Sequence, residues 1–476
     1  MAREIESKFD VAPDFVMPVL AGPDEQVEVD TVQLSSTYYD TGDHDLLRYR
    51  LTLRRRVGDA DTGWQLKVPG AGERTEVRWP PSDTPPAALT TLLRPFVRDK
   101  PITPMIRLDV TRTRHRILDP GGELVAEVAQ DDVRATGLGA EARAPRWHEA
   151  EVELGPAGSR ARLGELGAAL SSAGAVPSTS RAKVTRALVG IGNEGVGTPR
   201  TSAGAVLVDY ISQQCDALVA GHFAVQRDAP DSVHRTRVAS RRMRSTLRTF
   251  EYCFDAEQAK AFEDELRWYA GVLGAVRDTE VLRARILAAI ADLPDDLVVG
   301  PVKEHVDGQL TREMAEHRED VLEAMAGDRY AELLAEAVRW RDDPPFTAAA
   351  GRPAATLNEA IDRVERTLGK RLRRAARSSG TDEQMHGARK AGKRVRYAPE
   401  AAAAGGDTRA DTLAKHTAKL QGLLGEFQDS VVAAELLRRL ATDAAGQGED
   451  GFTYGVLVAE ERQRAEEARR RAREQN

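Results

Sequence analysis

A short segment rich in Gly, Ser, Thr and Pro divides this sequence into two halves that follow different hydrophobic periodicities. The segment 190–204, GIGNEGVGTPRTSAG, contains almost no side chain that could pack in a core. Before it, short stretches alternate polar and apolar residues between turn-rich pieces, which is typical of antiparallel sheet. After it, Ala, Leu, Glu and Arg recur at helical spacing. The sequence therefore predicts an α+β multidomain protein with a β domain at 1–190, a linker at 191–204 and an all-α domain from 205 onwards.

Composition narrows the class of protein further. At 476 residues the chain exceeds what one hydrophobic core usually organises, and 41% hydrophobic with 30% charged residues is typical of a folded, soluble protein. The two cysteines, Cys215 and Cys253, lack the spacing of a disulfide framework or a zinc site. Residues 1–9 are charged and no long uncharged apolar run follows, so we expect a cytoplasmic protein without membrane contact.

The net charge of -7 argues against a protein that coats nucleic acid, because such binding relies on a large positive surface. Any site for an anion must therefore be local. The basic clusters of the sequence fall in both halves, and their spacing indicates two different kinds of site.

Charges alternate along two predicted strands of the first half. The pattern occurs at Glu4, Glu6 and Lys8, and again at Glu149, Glu151 and Glu153. In a β-strand, residues two apart point to the same face, so each set shares one face. Carboxylates placed side by side repel each other, and we therefore expect positive groups or a cation between them.

The intervening strands carry the basic counterparts. These are Arg54, Arg56, Lys67, Arg78, Arg112 and Arg114. If one antiparallel sheet closes with all these faces inward, its lumen holds a basic ring opposite an acidic ring. Burying so many charges without partners is costly, so a polyanion and a hard divalent cation are the natural occupants. Carboxylates suit Mg²⁺ or Mn²⁺, whereas Arg and Lys suit phosphate oxygens.

These motifs, together with Tyr39-Asp40-Thr41 and Lys183-x-x-Arg186-Ala187-Leu188, resemble the CYTH domain of the triphosphate tunnel metalloenzymes. The resemblance spans residues 1–190. It implies an eight-stranded antiparallel β tunnel that hydrolyses inorganic triphosphate, or a related triphosphate, with Mg²⁺ or Mn²⁺. Because the same family includes adenylate cyclases and thiamine triphosphatases, the substrate stays open between these activities. A degenerate tunnel in a non-catalytic, polyphosphate-binding adaptor is the alternative of a different class.

The resemblance also implies roles for individual residues. The metal would be held by Glu4, Glu6, Glu149 and Glu151, assisted by Glu153 or Asp131, with Asp132 as a competitor of Asp131. The triphosphate would be bound by Lys8, Arg54, Arg56, Lys67, Arg78, Arg112, Arg114 and Lys183, among which Lys8, Arg56 and Lys67 are the predicted catalytic residues. Water would attack the terminal phosphorus, because no cysteine or Ser-His pair indicates a covalent route.

A basic stripe marks the helical half. His234, Arg237, Arg241, Arg244 and Arg248 follow a 3,4,3,4 spacing that places them on one helix face. The pattern reappears from His386, 152 residues later, and each copy is followed by Leu-Gly-x-x-x-Asp, at 273–278 and at 424–429. Two landmarks at matched separation predict an internal duplication.

This repeat resembles the CHAD domain, the conserved-histidine helical domain, over residues 205–445. The resemblance implies two pseudo-symmetric four-helix bundles that bind inorganic polyphosphate. The implied ligands are His234, Arg237, Arg241, Arg242, Arg244, Arg248, Arg374, His386, Arg389, Lys390, Lys393, Arg394 and Arg396. Polyphosphate binding would also allow association with polyphosphate granules.

Nucleic acid is the competing polyanion, but no aromatic residue interleaves with the arginines of the first stripe, so bases have no stacking platform there. The last segment, 446–476, is predicted to be a charged C-terminal helix or tail, and its part from about Val456 to Arg473 to be a solvated helix rather than a site. The oligomeric state is left open by the sequence.

Overall fold

The structure is a computed structural model that describes residues 3–4, 6–59, 62–69, 74–138, 145–178, 183–187, 202–375, 397, 400, 408–446 and 448–474. The chain divides into two compact units, Met1–Val196 and Gly197–Asn476. Among the described residues, no helix combines the length and the apolar character that a membrane span requires.

The first unit is built around one antiparallel sheet with four short helices. Its strands are β1 (Arg3–Glu4), β2 (Glu6–Val11), β3 (Gln26–Asp40), β4 (Thr52–Val57), β5 (Gly63–Val68), β6 (Arg74–Trp79), β7 (Thr103–Leu118), β8 (Leu124–Gly137), β9 (Arg146–Leu154) and β10 (Val176–Pro177). The helices are α1 (Asp45–Arg48), α2 (Ala87–Val97), α3 (Arg160–Ser172) and α4 (Lys183–Ala187). The strand order is β1-β6-β5-β4-β3-β7-β8-β9-β2-β10.

The sheet closes on itself through the N-terminal segment. β1 pairs with β6 at one end of the strand order, whereas β2, one position further along the chain, pairs with β9 near the other end. The described residues form ten strands rather than the eight predicted. β1 and β2 are counted separately because residue 5, between them, lies outside the described residues, and β10 is a two-residue edge strand. The predicted fold class, an antiparallel β domain followed by an all-α domain, is confirmed.

The strand register assigns each side chain to one of two faces, because directly opposed residues of an antiparallel pair share a face. The pairs Lys8 with Glu151, Glu151 with Ala129, and Ala129 with Arg114 define what we call the lumen face. On the opposite face, Phe9 and Val152 pack in a buried core against α3.

A second apolar core lies at one part of the lumen face. It includes Leu34, Val110 and Val133, which are directly opposed across β3, β7 and β8. Val184 of α4 packs into this core. The helix is thereby fixed so that its first residue, Lys183, reaches the charged part of the same face.

The second unit is helical. Its helices are α5 (Ala203–Gln226), α6 (Ser232–Thr249), α7 (Ala256–Asp292), α8 (Val302–Ala326), α9 (Asp328–Asp342), α10 (Leu357–Ala375), α11 (Thr408–Gly446) and α12 (Phe452–Glu474). Local signals start two of them: Ser202 caps α5 by accepting from the Ala205 N–H, and Asp255 caps α7 by accepting from the Gln258 N–H.

The long helix α7 takes part in two cores. Near its N-terminus, Phe262 stacks with Trp340 of α9, and towards its C-terminus Ile286 and Ile290 pack with residues of α8, α11 and α12. This arrangement fits a domain of two bundles. The predicted pseudo-symmetry depends on the second basic helix, which lies outside the described residues and therefore stays a prediction.

The C-terminal helix α12 differs from the solvated helix that its charge pattern predicted. Tyr454 and Leu457 are fully buried, and so is Glu461, whose side chain is 1% exposed. Glu461 accepts hydrogen bonds from Arg285 of α7. The sequence interpretation failed because the buried residues of this face after Leu457 are mostly alanines, and because one of the cations that compensate Glu461, Arg285, is distant in sequence, although Arg464 also pairs with it.

Candidate active site and basic helices

An acidic wall stands on β8 and β9. Asp131, Glu149 and Glu151 are buried on the lumen face, and each offers a carboxylate oxygen within 4.8 Å of the others. The register explains the cluster, since Asp131 is directly opposite Glu149, and Glu151 follows two residues later on the same face. All donors are carboxylate oxygens, which is the chemistry that a hard divalent cation prefers.

Lys183, Arg112 and Lys8 neutralise this wall, and Arg186 lies 3.9 Å from Glu149. Lys183 places its ammonium 3.0 Å from Asp131 and 2.8 Å from Glu151, and it also pairs with Glu149. Arg112 donates two hydrogen bonds to Asp131, at 2.8 and 2.7 Å, and a third to Glu151 at 2.8 Å. Lys8 donates to Glu151. The wall therefore joins four strands and α4 in one buried ionic network.

The electrostatics of the network favour the charged forms of its members. Burial raises the pKa of the Glu151 carboxyl, but Lys183, Lys8 and Arg112 outweigh it and hold that pKa well below its ordinary 4.5. Asp131 behaves in the same way, since burial is outweighed by Lys183 and Arg112 and its pKa is lowered. Conversely, burial would lower the pKa of Lys183, but Glu151 and Asp131 raise it. All three groups stay ionised at neutral pH.

A basic wall lies on β4, β5 and β6. Arg54 donates to the Gln65 side-chain oxygen at 2.6 Å and to the Tyr38 hydroxyl at 3.3 Å. Glu76 lies 3.6 Å from Arg54 and 3.7 Å from Lys67, and it also pairs with Arg78. Here several cations share one carboxylate, so the wall is positive in excess.

The two walls act on each other electrostatically. Burial raises the pKa of the Tyr38 hydroxyl, but Arg54 of the basic wall, then Arg56 and Lys183, lower it below its ordinary 10.0. A phenol in this position experiences positive potential both from the basic wall and from the lysine of the acidic wall. Cations of both walls therefore contribute to the positive potential at the Tyr38 hydroxyl.

Sequence reasoning did not select Tyr38, Gln65 and Glu76 as functional residues. All three are buried, being 5%, 1% and 5% exposed. Their signal was available in the alternation: Gln65 stands two residues before Lys67, and Glu76 stands two before Arg78 on the same face. A polar residue two positions from a charged one on the same strand therefore also faces the lumen.

The other predicted residues of the tunnel occupy the same face with different partners. Glu6 pairs with Lys8 at 3.1 Å and is directly opposite Glu153. The backbone of Glu4 pairs with that of Arg74, while the Glu4 side chain lies outside the described part of the structure. Arg56 is opposite Ser36 on β3.

Arg114 is held by acidic residues that the sequence analysis did not consider. It pairs with Asp30, directly opposite on β3, and donates to Asp59 at 2.9 Å. Asp59 reaches it from the turn after β4, where Gly58 has a φ of 113° and passes so close to β3 that a Cβ would lie 2.2 Å from the Gln33 carbonyl oxygen.

Asp131 and Asp132 lie on opposite faces of β8. Asp131 is fully buried on the lumen face, whereas Asp132 points to the other face and pairs with Arg146. The Tyr39-Asp40-Thr41 motif has a local structural role, because the Asp40 carboxylate accepts hydrogen bonds from the backbone N–H groups of Thr41, Leu46 and Leu47.

In the helical unit, α7 fixes the first basic stripe on α6. Arg237 donates to the Gly274 carbonyl oxygen at 3.3 Å and to the Asp278 carboxylate at 2.9 Å. The Leu-Gly-x-x-x-Asp landmark therefore accompanies the stripe because it holds the second basic residue of the stripe. At the other end, Arg244 and Arg248 pair with Glu263.

Arg241 and Arg242 contact a residue far away in sequence. The Tyr397 ring lies 5.8 Å from the Arg241 guanidinium and 5.9 Å from that of Arg242. Arg242 also donates to Glu400 at 2.8 Å. Tyr397 is only 4% exposed, so it packs against the arginines without offering a stacking platform to bases. His234 is partly buried, and burial, with Arg277 and Arg241, lowers its pKa.

Several predicted ligands of polyphosphate have side chains outside the described part of the structure. The backbone of Arg374 belongs to α10, but its side chain is outside the described residues. The whole second stripe also lies outside them: His386, Arg389, Lys390, Lys393, Arg394 and Arg396.

Comparisons with known proteins identify both units. A CYTH domain model matches residues 2–162, and a CHAD domain model matches residues 209–438. Uncharacterized proteins from two strains of Mycobacterium tuberculosis are 37% identical over 493 aligned residues, which cover 98% of this chain and 94% of each relative.

Two solved structures are also similar. PptA from Streptomyces chartreusis has a TM-score of 0.48 at 23% identity, covering 58% of this chain and 99% of its own. The CHAD domain from the plant Ricinus communis has a TM-score of 0.44 at 24% identity, covering 57% of this chain and 91% of its own.

Proposed function

This chain belongs to the family of proteins that join a CYTH domain to a CHAD domain, and we propose that it hydrolyses inorganic triphosphate in the tunnel with Mg²⁺ or Mn²⁺. We further propose that its helical unit binds inorganic polyphosphate. The observation that carries the first proposal is the pair of walls on one closed lumen face: Asp131, Glu149 and Glu151 on one side, with Arg54 and Lys67 on the other.

The acidic wall fits a divalent cation by its donor chemistry. Its three carboxylates converge within 4.8 Å and consist only of hard oxygen ligands. Glu6 and Glu153, opposed to each other on the same face, are two further carboxylates within the lumen. When bound, the cation would supply Lewis acidity and lower the pKa of a coordinated water.

The protein's own cations do the remaining work. Arg54, Arg56 and Lys67 would bind the triphosphate oxygens, where guanidinium forks and an ammonium stabilise charge that develops on the departing phosphate. Gln65 and Glu76 hold Arg54 and Lys67 in place, so that these donors need little reorganisation.

Lys8, Arg112 and Lys183 are the cations that pair with the acidic wall. Each neutralises buried carboxylates in this structure, and each can transfer its hydrogen bonds to phosphate oxygens when a triphosphate enters. The raised pKa of Lys8, in which Glu151 outweighs burial, keeps this residue protonated as a donor. It is therefore an electrostatic stabiliser rather than a general base.

The test is phosphate release from inorganic triphosphate by the intact chain with Mg²⁺ or Mn²⁺, compared with Glu6→Ala and Lys67→Met. We expect metal-dependent release that both variants lose. Arg146→Met, which removes a cation from the opposite face of β9, serves as the charge-matched control and should keep the activity. ATP and thiamine triphosphate are the comparison substrates.

Absence of release from every triphosphate with either metal would contradict the hydrolase proposal. If the same protein still bound long-chain polyphosphate, it would be a polyphosphate-binding adaptor. Binding of long-chain polyphosphate is a separate test of the function proposed for the helical unit. That proposal is supported by a partly buried basic stripe, held by α7, that includes Arg237, Arg244 and Arg248.

A further inference from the structure

The helices α6 and α7 lie side by side in an antiparallel arrangement. Arg237, near the start of α6, meets Gly274 and Asp278 of α7, whereas Arg248, near the end of α6, meets Glu263. The basic stripe of α6 therefore runs along α7 over about 16 Å of helix between these two arginines.

Glu263 gathers three guanidinium groups at the end of this stripe. It is 6% exposed, and its Oε1 atom accepts from Arg248 and from Arg267 at 2.9 Å, and lies 3.7 Å from Nε of Arg244. Three arginines from two helices thus converge on a single carboxylate oxygen. Arg267 lies on α7 and is not one of the residues that the stripe pattern predicted as ligands.

The three arginines are incompletely compensated. The Nε atom of Arg244 is buried without a hydrogen-bond partner among the described residues, because 3.7 Å is too long for a hydrogen bond. Burial, and then the neighbouring Arg248, lower the pKa of Arg244 in spite of Glu263. Among the described residues, the acid besides Glu263 that contacts the three arginines is Asp264, which binds Arg267 and is shared with Lys260.

We propose that Arg244, Arg248 and Arg267 form a phosphate-binding subsite at the end of the basic stripe, and that Glu263 is the positioning residue that holds them in place. The inference rests on the proposed polyphosphate binding and adds α7 to the binding surface. A phosphate group there would receive charge-assisted hydrogen bonds from donors on two helices. Glu263 keeps the guanidinium groups together before the anion arrives, which reduces the entropy lost on binding.

Glu263→Gln distinguishes positioning from simple attraction by the sign of its effect. The substitution removes one negative charge, so a surface that worked by net charge alone would bind polyphosphate more tightly. The proposal predicts weaker binding, because the neutral amide no longer holds three guanidinium groups. Glu263→Asp, which keeps the charge, should recover part of the affinity.

Arg267→Met tests the new ligand directly. We expect about tenfold weaker binding of long-chain polyphosphate to the intact chain, together with a shallower salt dependence, since one phosphate contact is lost. Arg283→Met is the matched control, because Arg283 also lies on α7, is partly exposed and pairs with the carboxylate of Asp307. Thermal melting checks that each variant is folded.

The outcomes separate this inference from the function on which it rests. A wild-type chain that does not bind polyphosphate would contradict the proposed function itself. If the wild type binds but Arg267→Met equals Arg283→Met, or Glu263→Gln binds as tightly as the wild type or more tightly, the subsite is overturned. Should Glu263→Gln not fold, Arg267→Met, whose side chain is 48% exposed, decides the question.

Discussion

Removing Arg112 should destabilise the tunnel far more than removing an arginine from its outer face. Arg112 makes two hydrogen bonds to Asp131, which is fully buried, and one to Glu151. Loss of one partner from a buried ion pair typically costs about 3–5 kcal/mol. Because Lys183 stays 3.0 Å from Asp131, we expect Arg112→Met to cost about 3 kcal/mol, at the lower end of that range.

The control for this variant is Arg146→Met. Arg146 pairs with Asp132 across the same two strands, but the side chains are 56% and 34% exposed. Exposed pairs contribute only about 0–1 kcal/mol. Hydrogen exchange of peptides from β7 and β8 reports the local opening free energy of this unit without interference from the helical unit.

A divalent cation should partly rescue Arg112→Met. A ligand that binds only the folded state stabilises it by about 2.7 kcal/mol at a hundredfold excess over its dissociation constant. Mn²⁺ should therefore slow β8 exchange in Arg112→Met, where Asp131 and Glu151 have each lost one of their cations. A loss no larger than that of Arg146→Met, with no effect of Mn²⁺, would refute the reasoning.

Three further predictions concern pH and buried charge. Cations hold the folded-state pKa of Glu151 well below 4.5, so this carboxylate adds stability above about pH 4.5 that is lost as the pH falls through the folded-state pKa. In a plot of the urea unfolding midpoint against pH, Glu151→Gln should therefore show a smaller fall on the acid side than the wild type. Burial and Arg277 lower the pKa of His234, and bound polyphosphate should promote protonation of this histidine. Titration of the protein with polyphosphate should therefore show an affinity that rises as the pH falls from about 7.5 to about 5.5 in the wild type but not in His234→Gln. Arg285→Met removes an arginine that pairs with the buried Glu461, while Arg464 still pairs with it at 2.9 Å, and should cost about 3 kcal/mol in urea unfolding, whereas Arg285→Met/Glu461→Met should recover part of that loss.

The lumen could be predicted because a two-residue period translates directly into a face. The alternation at Glu149 and Glu151 held in the structure, and the register places Lys8 and Arg112 on the same face. The family assignment made from these motifs is also confirmed. The predicted roles of the individual site residues stay predictions.

The structure adds contacts between residues that are distant in sequence, which a local sequence pattern cannot predict. Lys183 reaches the carboxylates from a short helix whose position depends on packing of Val184 in a core built from distant strands. The contact of Tyr397 with Arg241 and Arg242 joins residues more than 150 positions apart. Such contacts are decided by tertiary packing, and a single sequence carries no local signal for them.

The central claim is that the lumen is a single catalytic compartment with a metal-binding wall and a phosphate-binding wall. Its most direct test is the rate of phosphate release from triphosphate, measured over a grid of Mn²⁺ and triphosphate concentrations for the wild type, Glu149→Gln and Lys67→Met. The account predicts that Glu149→Gln raises the Mn²⁺ requirement and that Lys67→Met raises the triphosphate KM or abolishes turnover. Release that is independent of metal, or unchanged in both variants, would contradict it.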